Sequence, residues 1–477
     1  MATVLLSVSL VRALLDVCRM FAGVNDLAAI QSAPLMQNKA ALGIFWLGHF
    51  LGFYAMASTA IAALGEKLLC RIRATLLRKG PLLLIFGINA NSVAYGRYMI
   101  KEQHRSVLFV GKDCPTACES AIRSMGAVLD RSTEALSPSP RFLRQINFKP
   151  GSRRLEVAAL DADGSQNLRY AEQLLSAMSE AGISPEQTSL LASGIGDHSN
   201  ELQAVAGGQG YGSVFAFDDY DLTARLILRE HPPCDMIRFD GKGRAEEDLH
   251  AVILGFGRMG QAMLNHLLMN GQFFGSHFRA DIFDSDPQNG FLHSNTLMQN
   301  YDIRFHAAGG KSDAFYSFLE ENAESLRCIV LCTGSREENR EISEDLSGWY
   351  YGAKRPPVIL QVLKGAYSCT DESGKSSRCS NIYESDVLDI DLMDGMAMEV
   401  NQVYCVGSKA TARENWQSCS YFSRMSCRAA ADYYPAFLRA AGKTQEDVLQ
   451  GDWPPEKDVL ENLAISEHLR WCAFHYV

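Results

Sequence analysis

The stretch His250-Ala-Val-Ile-Leu-Gly-Phe-Gly-Arg-Met-Gly260 decides the fold of this chain. It predicts a buried strand over residues 251–254, a Gly-x-Gly-x-x-Gly turn, and a helix over residues 259–268. Such a turn lets backbone N–H groups approach a phosphate at a helix N-terminus, where the helix dipole favours negative charge. The stretch therefore predicts an α/β unit of the Rossmann type with a place for a nucleotide.

The segments after this turn complete the unit. Apolar runs predict further strands over residues 280–284, 302–306, 328–332 and 358–362. Asp284 ends the first of these, about 20 residues after the turn, where an acid accepts hydrogen bonds from a ribose hydroxyl. Arg258 is expected either to reach the phosphates or to be solvated. Two interpretations stay open for the whole unit, a bound nucleotide and a scaffold without one.

The candidate nucleotide-binding residues come from the turn, the end of the second strand and the segment after residue 332. They are Gly255, Phe256, Gly257, Arg258, Met259, Gly260, Asp284, Ser285, Asp286, Thr333 and Gly334. NAD(H) or an adenine nucleotide is the expected ligand. No residue is assigned a catalytic or metal-binding role, because no acid or base suited to proton transfer follows residue 362.

A degraded copy of the unit precedes the intact one. It predicts strands over residues 81–87 and 106–110, and later over 155–160, 189–192 and 213–217. Its turn has Asn89 in place of the second glycine, and that side chain blocks close approach of a phosphate. The fold is expected to survive and nucleotide binding to be weakened or lost. The polar residues at 161, 163 and 167 fit either a ligand site or a helix cap.

The N-terminal part contains an uncharged apolar run over residues 41–64. About 20 such residues span a bilayer, so the run predicts a transmembrane helix. The positive residues that follow, from Lys67 to Lys79, place the C-terminal side in the cytoplasm. A buried core helix is the alternative. The expected location is the cell membrane, with the bulk of the chain cytoplasmic.

Composition excludes several classes of protein. The net charge of −10 and the lack of a Lys/Arg stripe argue against a nucleic-acid partner. The 13 cysteines are scattered, without a Cys-x-x-Cys pair, which fits reduced thiols better than disulfides or a zinc site. From residue 392 onward the pattern predicts helices over 396–404, 415–441 and 460–476, with Pro435 kinking or breaking the second.

Several motifs together resemble a known family. Gly255-Phe-Gly-Arg-Met-Gly-Gln261 is similar to the turn in the nucleotide-binding domains of potassium channels and Kef-type efflux systems, and Asp163-Gly-Ser-Gln-Asn167-Leu resembles a TrkA-N turn. Leu463-Ala-Ile-Ser-Glu-His-Leu-Arg-Trp471 resembles a helix of ryanodine-receptor-type (Ryr) domains. The order of these pieces resembles bacterial membrane-anchored proteins with tandem TrkA-N (RCK-type) Rossmann domains and a C-terminal Ryr-type domain.

This resemblance implies four parts: a membrane anchor (residues 1–79), a degenerate Rossmann domain (80–235), a nucleotide-binding Rossmann domain (248–390) and a helical Ryr-like domain (391–477). Because the last helix reaches Val477 without a cap, we expect the Ryr-like part to be incomplete. The implied function is nucleotide-sensing regulation of potassium transport by a non-enzymatic homo-oligomer. Two alternatives stay open: a defence or signalling protein whose Ryr-like domain binds a nucleotide-derived ligand, and an NAD-dependent oxidoreductase.

Overall fold

A computed structural model describes residues 32–76, 81–145, 154–185, 188–195, 198–211, 214–286 and 291–477. The beginning of the predicted anchor and the end of its basic segment, Arg78 and Lys79, lie outside these residues. The chain divides into two compact units, one of residues 1–78 with 145–147 and one of residues 79–144 with 148–477.

The first unit contains one long helix, α1 (Lys39–Leu76), which follows a 3₁₀ turn at Pro34–Gln37. Within the described residues, its segment Lys39–Thr59 is the one stretch long and apolar enough to cross a membrane. The apolar side chains of Ile44, Leu47, Phe50 and Tyr54 are all exposed in this unit.

The second unit holds two sheets. The first sheet is entirely parallel, with strand order β3-β2-β1-β4-β5-β6, as in doubly wound Rossmann folds. Its strands are β1 (Leu82–Phe86), β2 (Ser106–Val110), β3 (Val128–Asp130), β4 (Leu155–Ala159), β5 (Thr188–Ser193) and β6 (Val214–Phe217). Its helices are α2 (Ala90–Lys101), α3 (Thr116–Ser124), α4 (Thr133–Leu136), α5 (Pro140–Gln145), α6 (Gly164–Glu180), α7 (Ser199–Gly208) and α8 (Asp219–Glu230), and a 3₁₀ turn at Pro233–Asp235 follows.

The second sheet repeats this order and extends it, as β13-β12-β11-β10-β7-β8-β9. Its parallel strands are β7 (Leu249–Leu254), β8 (Phe278–Asp284), β9 (Asp302–Ala307), β10 (Leu326–Leu331) and β11 (Val358–Leu363); β12 (Ala366–Thr370) and β13 (Ser380–Asn381) are antiparallel. Its helices are α9 (Arg258–Asn270), α10 (Phe291–Ser294), α11 (Asp313–Asn322) and α12 (Arg336–Trp349), with a 3₁₀ turn at Thr296–Asn300. Both sheets confirm the predicted α/β fold with two Rossmann-like parts.

The C-terminal part is helical, as predicted. Two 3₁₀ turns, Ile382–Glu384 and Asp386–Leu388, lead into α13 (Ile390–Tyr404), α14 (Ala412–Ser418), α15 (Tyr421–Ala440), α16 (Gln445–Leu449) and α17 (Lys457–Tyr476). The single helix predicted over residues 415–441 is wrong, because Cys419 is extended and Ser420 caps a new helix by accepting the Ser423 N–H. A break at Pro435 is also wrong: α15 continues through it, with the neighbouring Tyr433 and Ala436 buried in the core.

One apolar core runs through both sheets and the C-terminal helices. It contains side chains of β1 and β2, of β7 and α9, and of α15 and α17. The strands of parallel sheets are buried on both faces, which explains why they appear in the sequence as continuous apolar runs. The carboxyl ends of β7 and β10 meet where the strand order reverses, the usual ligand position in open α/β sheets.

Candidate functional site

The glycine-rich turn (residues 255–260) joins β7 to α9, and its three glycines have different roles. Gly255 has φ of +89°, and a Cβ there would lie 2.4 Å from the Cys332 carbonyl oxygen. A Cβ on Gly260 would lie 2.2 Å from the Gly255 carbonyl oxygen, so this glycine allows close packing of helix and strand. A Cβ on Gly257 would meet nothing within 4 Å. The space next to the second glycine, Gly257, is therefore open. This is where a phosphate approaches the backbone in nucleotide-binding turns.

The start of α9 offers unpaired donors to this space. Gly257 is the N-cap residue and has no side chain to accept a hydrogen bond. Among the described residues, no acceptor is found for the backbone N–H groups of Arg258, Met259 and Gly260. The first N–H groups of a helix need partners, and the helix dipole makes an anion a favourable one. The geometry of the turn is therefore compatible with an anion at the start of α9.

Asp284 ends β8 beside the turn. Its Oδ2 accepts a hydrogen bond from the Phe256 N–H at 2.6 Å, and its Oδ1 accepts one from the Asp286 N–H at 2.9 Å. Each carboxylate oxygen can accept further bonds, so the group can still bind a ribose hydroxyl. Ser285 and Asp286 are exposed in the same loop. The structure thus brings the acid and the turn together.

Two residues of the turn face the core. Phe256 is buried and packs edge-on against Phe291 and Phe305, at ring centroid distances of 5.0 and 5.2 Å. The Met259 side chain is also buried. Both residues can contribute only backbone groups to a ligand, so their side chains position the turn.

Arg258 points toward the first Rossmann part. Its Nη2 donates to Asp218 Oδ2 at 2.7 Å, and its guanidinium carbon lies 4.6 Å from the centre of the Tyr220 ring. Asp218 is also the N-cap of α8, where it accepts the N–H groups of Tyr220 and Asp221. The side chain therefore links the glycine-rich turn to the start of α8 in this structure.

Thr333 and Gly334 follow the end of β10, and Thr333 lies beside Gly255 of the glycine-rich turn. A Cβ on Gly255 would be 3.0 Å from the Thr333 Cα. Thr333 Oγ1 donates to Asn339 Oδ1 at 2.8 Å, and Asn339 Nδ2 donates to the Leu331 carbonyl oxygen at 3.0 Å. Asn339 is buried and holds the end of β10 in place.

The first Rossmann part fills the equivalent anion position itself. Asn89 is the N-cap of α2, and its Oδ1 accepts the Ser92 N–H at 2.9 Å, while Ser92 Oγ accepts the Asn89 N–H at 3.0 Å. Asn89 Nδ2 also donates to the Leu160 carbonyl oxygen at 2.6 Å. The backbone of Asn89 is extended, with φ of −147°. The N-terminus of this helix is thus capped by side chains of the chain itself.

Substitution of Asn89 by alanine tests which part binds the nucleotide. We expect Asn89→Ala to lower the free energy of unfolding by about 1 kcal/mol, the usual effect of losing an N-cap. We expect no change in any thermal stabilisation by nucleotides. Urea unfolding and ligand-dependent melting of the full chain measure both, with the exposed Gln103→Ala as a control. Loss of the nucleotide effect in Asn89→Ala would place the ligand in the first part.

The polar cluster after β4 serves the fold. Asp163 caps α6 by accepting the Ser165 N–H at 2.9 Å, and Asp161 Oδ1 accepts the Asp163 N–H at 3.0 Å. Asn167 is buried, and its Nδ2 donates to the carbonyl oxygens of Asp161 and Ser193. The capping interpretation is confirmed for Asp163, whereas Asp161 and Asn167 hold the loop and the strand ends. Asn167 and Asn339 occupy corresponding places after β4 and β10. Each asparagine lies six residues after the residue whose N–H it binds, Asp161 or Thr333, and this shared spacing could have identified Asn339 from the sequence.

A buried carboxylate on β8 supports the strand that carries Asp284. Asp281 accepts hydrogen bonds from His250 Nε2 at 2.8 Å, His306 Nε2 at 2.7 Å and Arg279 Nε at 2.9 Å. Burial alone raises the pKa of this carboxyl, but the hydrogen bonds to the two histidines and the arginine outweigh it and lower the pKa to about 2. The charged form of Asp281 therefore stabilises the fold.

Asp281→Asn is expected to lower the free energy of unfolding by about 3 kcal/mol at neutral pH, because it leaves buried basic groups without their carboxylate. An unfolded aspartate titrates near 3.9, so the contribution is fully present above about pH 4 and is lost as the pH falls toward 2. Urea unfolding at pH 7, 5 and 3 measures this. The half-exposed Asp302→Asn serves as control, with an expected change below about 1 kcal/mol. A difference in unfolding free energy between the wild type and Asp281→Asn that grows below pH 4 would contradict a stabilising role of the charged Asp281.

No family model matches this sequence, and no curated protein matches it. Among solved structures, the chain is similar to GsuK bound to ADP, at 11% identity over 82% of this chain and 84% of that one, with a TM-score of 0.36. It is similar to the GsuK RCK domain at 10% identity, over 78% and 79%, with a TM-score of 0.37. It is also similar to D-lactate dehydrogenase from Escherichia coli at 12% identity, over 76% and 98%, with a TM-score of 0.19.

Proposed function

We propose that this protein is a membrane-anchored regulatory protein of the potassium-channel or transport type, which senses NAD(H) or an adenine nucleotide at the glycine-rich turn. The observation that carries the proposal is the start of α9, where three N–H groups without an acceptor among the described residues border the open space at Gly257. The diphosphate of the ligand would accept these donors. The corresponding place in the first part is filled by Asn89.

Asp284 supports a ligand with a free ribose hydroxyl. A carboxylate at the end of the second strand accepts hydrogen bonds from the 2′-hydroxyl of NAD, whereas an arginine nearby accommodates the 2′-phosphate of NADP. Asp284 and Asp286 place two acids here. The proposal therefore includes discrimination against NADP.

Helix α9 supports a regulatory role, because it joins the site to two other parts of the chain. At its N-terminal end Arg258 pairs with Asp218, and toward its C-terminal end His266 Nε2 lies 2.8 Å from Asp221 Oδ1. Just beyond it, the Phe274 N–H donates to Ser466 Oγ of α17 at 2.9 Å. A bound phosphate would compete with Asp218 for Arg258. The ligand would therefore bind more tightly when the Arg258–Asp218 pair is broken than when it is formed. A ligand can shift a conformational equilibrium only through such a difference in affinity.

The membrane part of the proposal rests on α1. Segment Lys39–Thr59 has the length and apolar character of a span, and its large apolar side chains are exposed rather than packed as in a core helix. The basic residues from Lys67 onward favour a cytoplasmic position for the Rossmann parts. A homo-oligomer, as the resemblance implies, would combine several sensors on one membrane assembly.

Thermal unfolding of the full chain in detergent, with NAD, NADH, ATP, AMP, ADP-ribose and NADP, tests the proposal. A specific ligand at 100 times its Kd should stabilise the folded chain by about 2.7 kcal/mol. NADP at the same concentration should give a clearly smaller shift. The absence of a shift with every nucleotide would overturn the sensing function. Consumption of NADH with a substrate, followed by its absorbance, would favour an oxidoreductase instead.

A further inference from the structure

A cavity lies where three parts of the chain meet, and Arg258 of the glycine-rich turn is part of its wall. This junction cavity has a volume of about 430 Å³. Its walls come from the ends of β5 and β6 with the start of α8, from the last turns of α9, and from α15 with the end of α17. Ligand cavities in proteins commonly measure roughly 300–1,000 Å³, so the size suits a small ligand and is at the lower end for a dinucleotide.

The charged groups of the wall are paired with one another. Arg225 binds Asp432 and Asp394, and Arg428 binds Asp394 through two hydrogen bonds. The two contacts of α9, Arg258 with Asp218 and His266 with Asp221, also face this cavity. Among the described residues, three guanidinium groups thus meet four carboxylates, so carboxylates are in excess and an anionic ligand is disfavoured. The cavity therefore favours an uncharged ligand.

The rest of the wall suits a flat ring. Phe215 and Phe217 are buried on one side, and Tyr421, Met425 and Phe474 come from the C-terminal helices on the other. Aromatic and methionine side chains bind the faces of planar rings well. An uncharged heterocycle can lie between these surfaces.

Two residues of the wall, Ser199 and Asn270, each have an enclosed side-chain oxygen with no partner among the described residues: Ser199 Oγ and Asn270 Oδ1. Both residues are more than nine-tenths buried. The amide orientation of Asn270 follows from its Nδ2, which donates to the His266 carbonyl oxygen at 2.9 Å. Its oxygen is therefore an acceptor that lacks a donor, and buried polar groups without partners are unusual in folded proteins.

We propose that the junction cavity binds an uncharged, flat heterocyclic compound of nucleoside size. The ring lies between the phenylalanines of β6 and the side chains of α15 and α17, and a small movement of the wall on binding opens Asn270 Oδ1 to an N–H of the ring edge. The ligand joins the first Rossmann part, α9 and the C-terminal helices. Arg258 borders both this cavity and the glycine-rich turn, but the proposed ring position does not use the N–H groups at the start of α9, so the existence of this site does not depend on the proposed nucleotide sensing.

Calorimetric titration of the full chain in detergent with adenosine, guanosine, cytidine and uridine tests the site. We expect saturable binding of at least one nucleoside, and at least tenfold weaker binding of its 5′-monophosphate at this site. Ala429→Phe, which fills the cavity from α15, should abolish the binding; Ala430→Phe, on the same helix but outside the cavity wall, should retain it. Asn270→Leu should weaken it at least tenfold.

Two results would overturn the proposal: no binding of any of the four nucleosides, or binding that Ala429→Phe and Asn270→Leu both leave unchanged. Gly257→Val separates the two sites, because it should leave nucleoside binding intact. Loss of nucleoside binding in that variant would assign the ligand to the glycine-rich turn and remove the case for a second site. Nucleoside binding that persists when no nucleotide binds would instead overturn only the sensing function.

Discussion

Gly257→Val should abolish thermal stabilisation by the nucleotide while the protein stays folded. The valine side chain would occupy the open space before α9, where the phosphate oxygens must approach the N–H groups. Each lost hydrogen bond to a charged group weakens binding by about 1.5–3 kcal/mol, so the loss of two predicts at least a roughly 100-fold higher Kd. The fold should tolerate the change, because Gly257 has an ordinary φ of −70° and its Cβ would meet no atom within 4 Å.

Ligand-dependent melting and calorimetric titration of the full chain measure this effect. Gly348→Val is the matched control, since a Cβ on Gly348 also meets nothing within 4 Å and Gly348 lies near the C-terminal end of α12. Gly255→Val should behave differently and lower the stability itself, because its Cβ would collide with the Cys332 carbonyl. Unchanged nucleotide binding in Gly257→Val would place the ligand elsewhere.

Arg225→Met should lower the free energy of unfolding by about 3–5 kcal/mol. Arg225 is buried on α8, and it donates to Asp432 through two hydrogen bonds of 2.5 and 3.1 Å and to Asp394 at 3.2 Å. These carboxylates belong to α15 and α13. Removing Arg225 leaves the buried Asp432 without its close cation, while Asp394 keeps Arg428, and loss of one partner of a buried pair is far more destabilising than loss of a surface ion pair.

Urea unfolding and amide hydrogen exchange of α13 and α15 measure this prediction. Arg229→Met is the matched control on the same helix, because Arg229 is 40% exposed and its Nε lies 3.9 Å from Asp432 Oδ1. Its effect should stay below about 1 kcal/mol. Equal, small effects of the two substitutions would show that the network does not hold the C-terminal helices to α8.

The sequence alone predicted the α/β fold well, because buried parallel strands are short apolar runs and their positions are easily found. β2 coincides with the predicted residues 106–110, and the other predicted strands and α9 differ by one or two residues at their ends, whereas the short edge strand β3 was not predicted. The glycine-rich turn also lies where the spacing places it. Local rules were sufficient here, since a strand, a turn and a helix within one short segment need no distant partner.

Features that depend on distant residues were not predicted. The Arg258–Asp218 pair joins residues of the two Rossmann parts, and the contacts of Arg225 with α13 and α15 cross most of the chain. The antiparallel strands β12 and β13 lie in a polar, turn-rich segment with little apolar pattern. The break before α15 did have a local signal, Ser420 three residues before Ser423, whereas the continuity of α15 through Pro435 depends on its burial.

Amide hydrogen exchange of the full chain, with and without the stabilising nucleotide, tests the nucleotide site most directly. The N–H groups of Arg258, Met259 and Gly260 have no acceptor among the described residues, and a bound phosphate should protect them. We predict slower exchange in peptides that cover residues 256–261, and no change at residues 89–93 of the first part. Unchanged exchange at residues 256–261 under a saturating nucleotide would contradict a phosphate site at the start of α9.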